Sequence, residues 1–495
     1  GNFHNILLDN NLYSLSNLKS LLEKYSIETI ITNSIGNFFL IIKNKKFVRI
    51  LNSFAFGGLY FIEKKDKFIF STREFDLIKE LKSFEIENEQ FNFYINAHRQ
   101  ISYLPFNGID RRIKRLPSGM SVSFPNKKKF IYDFYFLKNT YLYKKNFESY
   151  NLILDKILKS YKKNIKKRIT LLFSGGLDST VLFGKSIENK IKFQTLYFNR
   201  AMKLNICEMM VNFLSDKYKI NSKILNQRSE KLSKKNFLQS KKLISHYNII
   251  GSPKELKYQD NYTNNMVYMS GQNADTLYCV DTFAPNTYSI TFNRLFAIIK
   301  TIHLRFFYTN IFLRIMSNNL ILKIFGINKK EFIKSKIKNL MFSEREHVNW
   351  FYDPKKKNNK FYKHRQKYFY KPLIKILKIK DFDKIDHIKL YKIISSVKWF
   401  RFVINAHLYF NELGRFHRSN FITPFSEGPL VNYFSNNHVD LKETILIKPF
   451  QKKIVKNTLG FNFLIKQIFL RLSVFYKKKY RLILKEKLIQ NYDNL

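Results

Sequence analysis

Cysteine is almost absent from this chain of 495 residues, which contains only Cys207 and Cys279. The two are far apart and lack CxxC spacing, so they exclude a disulfide framework and a thiolate zinc site. Two reduced cysteines fit a cytoplasmic protein. The first residues lack a basic start followed by an apolar block, so no signal peptide is predicted.

Acidic residues are also scarce: 37 Asp and Glu stand against 88 Lys and Arg, a formal net charge of +51. A positive field of this size favours an anionic partner, such as an acidic protein or peptide, an anionic membrane surface or nucleic acid. The abundant Phe, Tyr, Ile, Asn and Lys are also what AT-rich codons produce. Codon bias explains the many lysines but not the scarcity of Asp and Glu. Codon bias and an anionic partner therefore both stay open as explanations of the charge.

Long uncharged apolar runs are missing, so no membrane-spanning helix is predicted. Two basic amphipathic stretches come nearest, Phe292–Phe325 and Phe461–Leu488. Such stretches are typical of core-facing helices with solvated lysines, or of helices that lie on a membrane or partner surface. With 45% hydrophobic and 17% aromatic residues, the chain is predicted to be soluble, with peripheral membrane contact left open.

The first third is rich in predicted strands. Short apolar runs separated by turn residues occur within Ile35–Leu51, Gly57–Thr72 and Ser118–Phe134. One helix is predicted among them, at Thr72–Phe84. This pattern predicts a sheet sandwich with a helical layer over residues 1–138.

From residue 139 onwards the periodicity changes. A helix is predicted at Ser149–Ile165, then the strand "RITLLF", a glycine turn, a helix, a strand at Lys192–Asn199 and another helix. This order is typical of an α/β domain with a parallel sheet covered by helices. We assign it to residues 139–495 and expect its basic stretch Pro354–Tyr370 to be a loop.

The glycine turn, "SGGLDS", carries the clearest chemistry. Gly175 and Gly176 allow the backbone to approach a ligand closely. Ser174 and Ser179 offer hydroxyls, and the start of the following helix directs N–H groups at an anion. Asp178 would repel phosphates unless a divalent cation lay between them, so it is predicted to bind Mg²⁺. The turn has neither the lysine of a Walker A loop nor GxGxxG spacing.

"SGGLDS" resembles the PP-loop of the N-type ATP pyrophosphatases, above all the asparagine synthetase family, which includes β-lactam synthetases and lasso-peptide cyclases. The resemblance implies a parallel sheet like that of the adenine nucleotide α-hydrolases, with ATP and Mg²⁺ as cofactors. Such enzymes cut ATP between its α- and β-phosphates, adenylate a carboxylate, release pyrophosphate and let an amine attack. The loop holds the pyrophosphate.

A second block follows, "VYMSGQNADTLY" at Val267–Tyr278. By the same resemblance Ser270 and Gly271 contact the nucleotide, and Asp275 joins Asp178 on Mg²⁺. The resemblance adds to this nucleotide pocket the apolar residues Leu172, Leu177 and Leu196.

The second block departs from the asparagine synthetases, which have "SGEGSDE" with a glutamate where this chain has Gln272. An amide cannot act as a base, so Gln272 favours a substrate other than aspartate. A third block, Ser419–Phe434, resembles the "EaRvPFLD" segment. The following "KPFQKKIVK" is similar to the "EKHILRE" helix, whose lysine, matched residue by residue, falls on Lys452 and would stabilise transition-state charge. Its close alternatives are Lys448, Lys453 and Lys456.

The N-terminal third resembles a class II glutamine amidotransferase domain, an Ntn-type αββα sandwich, in "IGNFFLII", "FGGLYFIEKKDKFIFSTREFDLIK" and "NGIDRRIKRLPSGMSVSF". That activity needs an N-terminal cysteine nucleophile. Residue 1 is glycine and no cysteine precedes Cys207. The domain is therefore predicted to be unable to hydrolyse glutamine, as in β-lactam synthetases and lasso cyclases.

The resemblance implies an AMP-forming carbon–nitrogen ligase that cyclises a peptide or other natural product without glutamine hydrolysis. Two alternatives stay open: asparagine synthesis from aspartate with free or partner-supplied ammonia, and a non-catalytic binding protein with a degraded site. The expected partners are a carboxylate and an amine substrate, such as a precursor peptide, and a partner protease or acidic protein. The amidotransferase-like domain argues against nucleic acid.

Overall fold

The chain was analysed as a computed structural model. It describes residues 2–43, 47–55, 57–64, 67–85, 106–108, 110–125, 131–134, 143–199, 206–226, 265–277, 318–324, 326, 328–331, 371–377, 379, 381–400, 407, 410, 414, 418–437 and 448–460. The basic stretch Pro354–Tyr370, the amphipathic stretch Phe461–Leu488 and most of Phe292–Phe325 lie outside these residues. Within the described ranges, no helix combines the length and the hydropathy that crossing a membrane requires.

Antiparallel strands make up most of the described N-terminal part. They are β1 (Asn2–Leu8), β2 (Asn11–Tyr13), β3 (Ser34–Asn37), β4 (Phe39–Lys43), β5 (Phe47–Asn52), β6 (Leu59–Lys64), β7 (Lys67–Ser71), β8 (Lys114–Leu116), β9 (Met120–Pro125) and β10 (Ile131–Phe134). They pair into three sheets, ordered β2-β1-β3, β10-β9-β5-β4 and β7-β6-β8. The predicted strand-rich character is therefore confirmed, whereas the αββα sandwich stays a prediction.

Among the described N-terminal residues the α-helices are α1 (Leu18–Lys24), α2 (Ile27–Thr32) and α3 (Glu74–Leu81). The Ser26 side chain accepts a hydrogen bond from the backbone N–H of Thr29, which caps the start of α2. Helix α3 lies inside the predicted Thr72–Phe84. It ends at Lys82, whose left-handed backbone stops the helix.

A parallel sheet forms the centre of the C-terminal part. Its strands are β11 (Ile169–Leu172), β12 (Phe193–Asn199), β13 (Ser222–Asn226), β14 (Val267–Ser270) and β15 (Asn420–Ile422), in the order β13-β12-β11-β14-β15. Strand β11 lies in the middle and is almost wholly buried. Such continuous apolar strands are typical of a parallel sheet covered on both faces. The predicted parallel α/β arrangement is confirmed.

The described helices of the C-terminal part precede, connect and follow these strands in the chain. They are α4 (Phe147–Asn164), α5 (Leu177–Glu188), α6 (Ile206–Lys217), α7 (Ala274–Leu277), α8 (Asn319–Ile324), α9 (Lys371–Ile376), α10 (His387–Lys398), α11 (Gly428–Asn436) and α12 (Pro449–Leu459). Helix α4 buries Ile153, Leu154 and Ile157 at helical spacing and is capped by Asn146, which accepts from the N–H of Ser149. Helices α5 and α12 pack closely enough that a Cβ on Gly184 would lie 2.3 Å from the Thr458 hydroxyl.

A buried seam joins the antiparallel part to the parallel part at the start of α11. Glu427 accepts hydrogen bonds from the Gly36 N–H at 2.7 Å and from the Tyr161 hydroxyl at 2.5 Å. A Cβ on Gly428 would lie 2.6 Å from the carbonyl oxygen of Thr32, so backbones touch here. The two parts are packed as one core, and the predicted domain boundary at residue 138 stays a prediction.

Candidate functional site

The predicted phosphate loop lies at the carboxyl end of β11, in the centre of the parallel sheet. Gly175 has φ +63°, a left-handed conformation that favours glycine. The Ser174 hydroxyl accepts from the Gly176 N–H at 3.2 Å and lies 3.0 Å from the Ser179 hydroxyl. The turn is therefore held by its own side chains.

Helix α5 starts directly at this loop. Gly176 is its N-cap residue and has no side chain to satisfy the first backbone N–H groups of the helix. The Gly176 carbonyl accepts from the hydroxyls of Ser179 at 3.0 Å and Thr180 at 2.8 Å. The free end of the helix dipole thus faces the loop, an arrangement that attracts anions.

The second predicted block lies beside the first. Leu172 pairs in register with Leu196 of β12 and with Ser270 of β14. A Cβ on Gly271 would lie 2.9 Å from the backbone nitrogen of Ser179 and 3.0 Å from the carbonyl carbon of Asp178. The two loops are therefore in close contact, and the nucleotide site that the resemblance places between them stays a prediction.

Replacing Gly271 with alanine is expected to weaken ATP binding by about 10-fold, because the added methyl group separates the two loops by several tenths of an ångström. Equilibrium titration with MgATP measures this change. Gly184→Ala is the control: an added Cβ is also crowded there, but against the Thr458 side chain of α12 and not against the second loop. It should lower the melting temperature while leaving ATP affinity unchanged. Equal affinities for Gly271→Ala and the wild type would contradict the prediction.

A carboxylate and an ammonium meet at the loop. The Lys448 Nζ donates to both carboxylate oxygens of Asp178, at 2.7 Å and 2.9 Å. The Lys448 side chain is 6% exposed and that of Asp178 is 21% exposed, so the ammonium is the more deeply buried partner. Because a buried charge is costly without an opposite charge beside it, the Asp178 carboxylate stabilises the buried ammonium of Lys448.

Lys448 is positioned by its own backbone. It is the N-cap residue of α12, with φ +51° and ψ +53°, and Pro449 follows as the first helical residue. A left-handed lysine is strained and persists only where surrounding contacts hold it. Proline at the first helical position marks the start of α12 in the sequence, a signal that could have singled out Lys448.

The resemblance assigned the catalytic lysine to Lys452, one turn further along α12. Its backbone N–H donates to the Lys448 carbonyl, and its side chain is half-buried. Lys453 lies over the Phe147 ring, 4.1 Å from its centroid, and Lys456 is exposed. Among these alternatives, Lys448 is the lysine that the structure brings to Asp178, and the role of Lys452 stays a prediction.

The other predicted residues lie around the same sheet edge. Leu177 is buried at the start of α5. Leu172 and Leu196 belong to an apolar cluster with Tyr268, Phe410 and Phe421. Gln272 is exposed after Gly271. Asp275 lies on α7, and its side chain is outside the described part of the structure.

Hard carboxylate oxygens are what Mg²⁺ prefers, and Asp178 supplies a partly exposed carboxylate at the anion-binding loop. In the described ranges there is no group of three or more His, Cys, Asp or Glu side chains that could hold a metal ion. A bound Mg²⁺ would take Asp178 as one ligand, and phosphate oxygens and water are further ligands that this cation commonly uses.

Three residues near the loop were missed by sequence reasoning. The Asn273 side-chain nitrogen donates to the Ser426 hydroxyl at 2.6 Å and lies 3.2 Å from His407 Nε2. No local pattern links these residues, which are up to 153 positions apart. Only the left-handed backbone of Asn273, typical of asparagine, could have been anticipated.

The fold is a mixed α/β protein with a five-stranded parallel sheet, and a glycine loop joins its central strand to a helix start. No protein-family model and no curated protein matches the chain. Among solved structures it is similar to an NH3-dependent NAD synthetase from Campylobacter jejuni in complex with nitrate, with 13% identity and a TM-score of 0.20, covering 48% of this chain and 98% of that one. A glutamine-dependent NAD+ synthetase from Acinetobacter baumannii in complex with ADP has 9% identity and a TM-score of 0.19, with coverages of 50% and 60%. At these TM-scores neither likeness bears on the activity of this chain.

Proposed function

We propose that the chain is an ATP-dependent ligase that joins a carboxylate to an amine through an acyl adenylate. The observation that supports this most directly is the pair of Asp178 and Lys448 at the glycine loop. A helix start, an ammonium and a carboxylate around one loop suit a polyphosphate accompanied by a divalent cation.

The loop would hold the β- and γ-phosphates of ATP. Gly175 and Gly176 allow phosphate oxygens to approach the backbone, and the first turn of α5 supplies N–H donors. The hydroxyls of Ser174 and Ser179 lie on the same turn and can donate to the same oxygens. Mg²⁺ held by Asp178 and, by the family resemblance, Asp275 would neutralise the charge of the polyphosphate.

Lys448 would stabilise the charge that develops during adenylation. Its ammonium is a compact charge on a flexible stem, so its hydrogen bonds can pass from the Asp178 carboxylate to a phosphate oxygen. Burial of the lysine strengthens this interaction, because less water screens it. The substrate carboxylate attacks the α-phosphorus, the bond to the β-phosphate oxygen breaks, and pyrophosphate leaves.

The finer proposal is that the amine belongs to the same substrate, so that the product is a cyclic amide of a peptide or other natural product. Its support is Gln272, exposed beside the loop where asparagine synthetases carry a glutamate. The alternative is asparagine synthesis with ammonia as the amine. The second alternative is a non-catalytic binding protein with a degraded site.

The test is the release of AMP and pyrophosphate from MgATP by the full chain, with separate candidate substrates. We expect equal amounts of both products with peptides that carry a side-chain carboxylate and a free amine. Asparagine formation from aspartate and ammonium would replace the cyclase proposal with the synthase. ATP binding without turnover in any mixture would favour the binding protein, and a chain that does not bind ATP would contradict both enzyme proposals.

A further inference from the structure

A cluster of three polar side chains lies behind the second loop. Asn273, in the turn between β14 and α7, donates through its amide to the Ser426 hydroxyl and contacts His407. Ser426 and His407 are buried, with 0% and 2% exposure. Burial lowers the pKa of His407 to about 3, so its ring is neutral and Nε2 can accept from the amide.

Asn273 also has an uncommon backbone conformation. Its φ is +75°, the left-handed region that most residues avoid. Its carbonyl accepts from the Leu277 N–H at 3.3 Å, so α7 begins at this residue. The asparagine synthetase motif "SGEGSDE" has a glycine at the equivalent position. This chain instead has an asparagine there, and its side chain contacts both Ser426 and His407.

We propose that Asn273 is a positioning residue for the metal-dependent part of the nucleotide site. Its amide, tied to Ser426 and His407, fixes the turn from which α7 starts, and α7 is the helix that carries Asp275. The same turn directly follows Gly271, which lies against Asp178 and Ser179 of the glycine loop. The direction of the turn therefore sets how the two loops meet. This inference rests on the proposed function.

The experiment compares ATP binding with and without Mg²⁺ in the full chain. Asn273→Gly keeps the left-handed backbone accessible and removes only the amide. We expect its MgATP affinity to fall by about 10-fold or more, which is the typical loss when a residue that orients a metal ligand is replaced. Its affinity for metal-free ATP should stay within about twofold, because the first loop is unchanged. Ser426→Ala should act in the same direction, and combining the two should add little.

The matched control is Asn265→Gly. Asn265 is another left-handed asparagine, with φ +62°, at the opposite end of β14. Its replacement should change neither affinity. Wild-type MgATP affinity in Asn273→Gly would overturn the inference and leave the proposed function standing. Equal losses with and without Mg²⁺, together with a lower melting temperature, would show a merely structural role and also overturn it. A wild-type chain that binds no ATP would overturn the proposed function itself.

Discussion

Replacing Asp178 with asparagine is expected to lower ATP turnover by at least about 100-fold and the free energy of unfolding by about 2 kcal/mol. The first effect follows because the loop loses its carboxylate for the cation. The second follows because the buried ammonium of Lys448 loses the carboxylate to which it donates. A fully buried pair would cost more, but Asp178 is partly exposed and water can reach it. Product release and urea unfolding measure the two effects.

A second substitution separates the two effects. In the double variant Asp178→Asn, Lys448→Met both charges are gone, and methionine fills the space of the lysine stem. We expect most of the lost stability to return, because an apolar side chain of similar volume can replace a buried ion pair. Turnover should stay abolished. A double variant as unstable as Asp178→Asn would contradict the ion pair.

Replacing Glu427 with glutamine is expected to remove a pH dependence of stability worth about 3 kcal/mol. Burial raises the pKa of Glu427 from 4.5 to about 7, although the hydrogen bonds from Tyr161 and Gly36 oppose the shift. The folded chain therefore binds this proton more tightly than the unfolded chain. The resulting stabilisation is complete below about pH 4.5 and is lost as the pH rises through about 7.

Glutamine imitates the protonated carboxyl group. Its carbonyl oxygen can accept from the Gly36 N–H, and its NH₂ group can donate to the Tyr161 hydroxyl. The measurement is urea unfolding of both proteins from pH 4.5 to pH 8. The stability of Glu427→Gln relative to the wild type should rise across this range. Parallel curves for the two proteins would contradict the prediction.

The pKa shifts of His4 and His407 also make stability depend on pH, but this contribution is common to both proteins. Burial lowers the pKa of His4 to about 4 and that of His407 to about 3. Below about pH 6.5 the unfolded chain therefore binds protons that the folded chain does not, and stability falls as the pH decreases. Wild type and Glu427→Gln share this acid effect, so the difference between them isolates Glu427.

Local patterns were sufficient to predict the glycine loop and the strand and helix that flank it. The apolar strand, the two glycines and the helix spacing predicted the turn at Gly175 and the helix that starts at Leu177. The strands and helices on either side were also found, because each has a clear periodicity of its own. Local patterns determine the sheet arrangement of the N-terminal part less well, since that arrangement depends on pairings between strands that are distant in the sequence.

Contacts between distant residues could not be predicted in the same way. Lys448 and Lys452 are one helical turn apart in a segment rich in lysine, and only the fold decides which one reaches Asp178. Glu427 follows an apolar segment, and nothing near it in the sequence indicates its bond to Gly36, 391 positions away. Both depend on the final packing of the chain.

The bond between Asp178 and Lys448 spans 270 positions of sequence. A ribosome that adds about 5–20 residues per second needs roughly 15–50 s to cover that interval. For all of that time the nascent chain has its glycine loop but not its lysine, and for most of it β15 has yet to be synthesised and join the sheet edge. Under the proposed function, the nascent ligase would lack the lysine that stabilises adenylation throughout this interval.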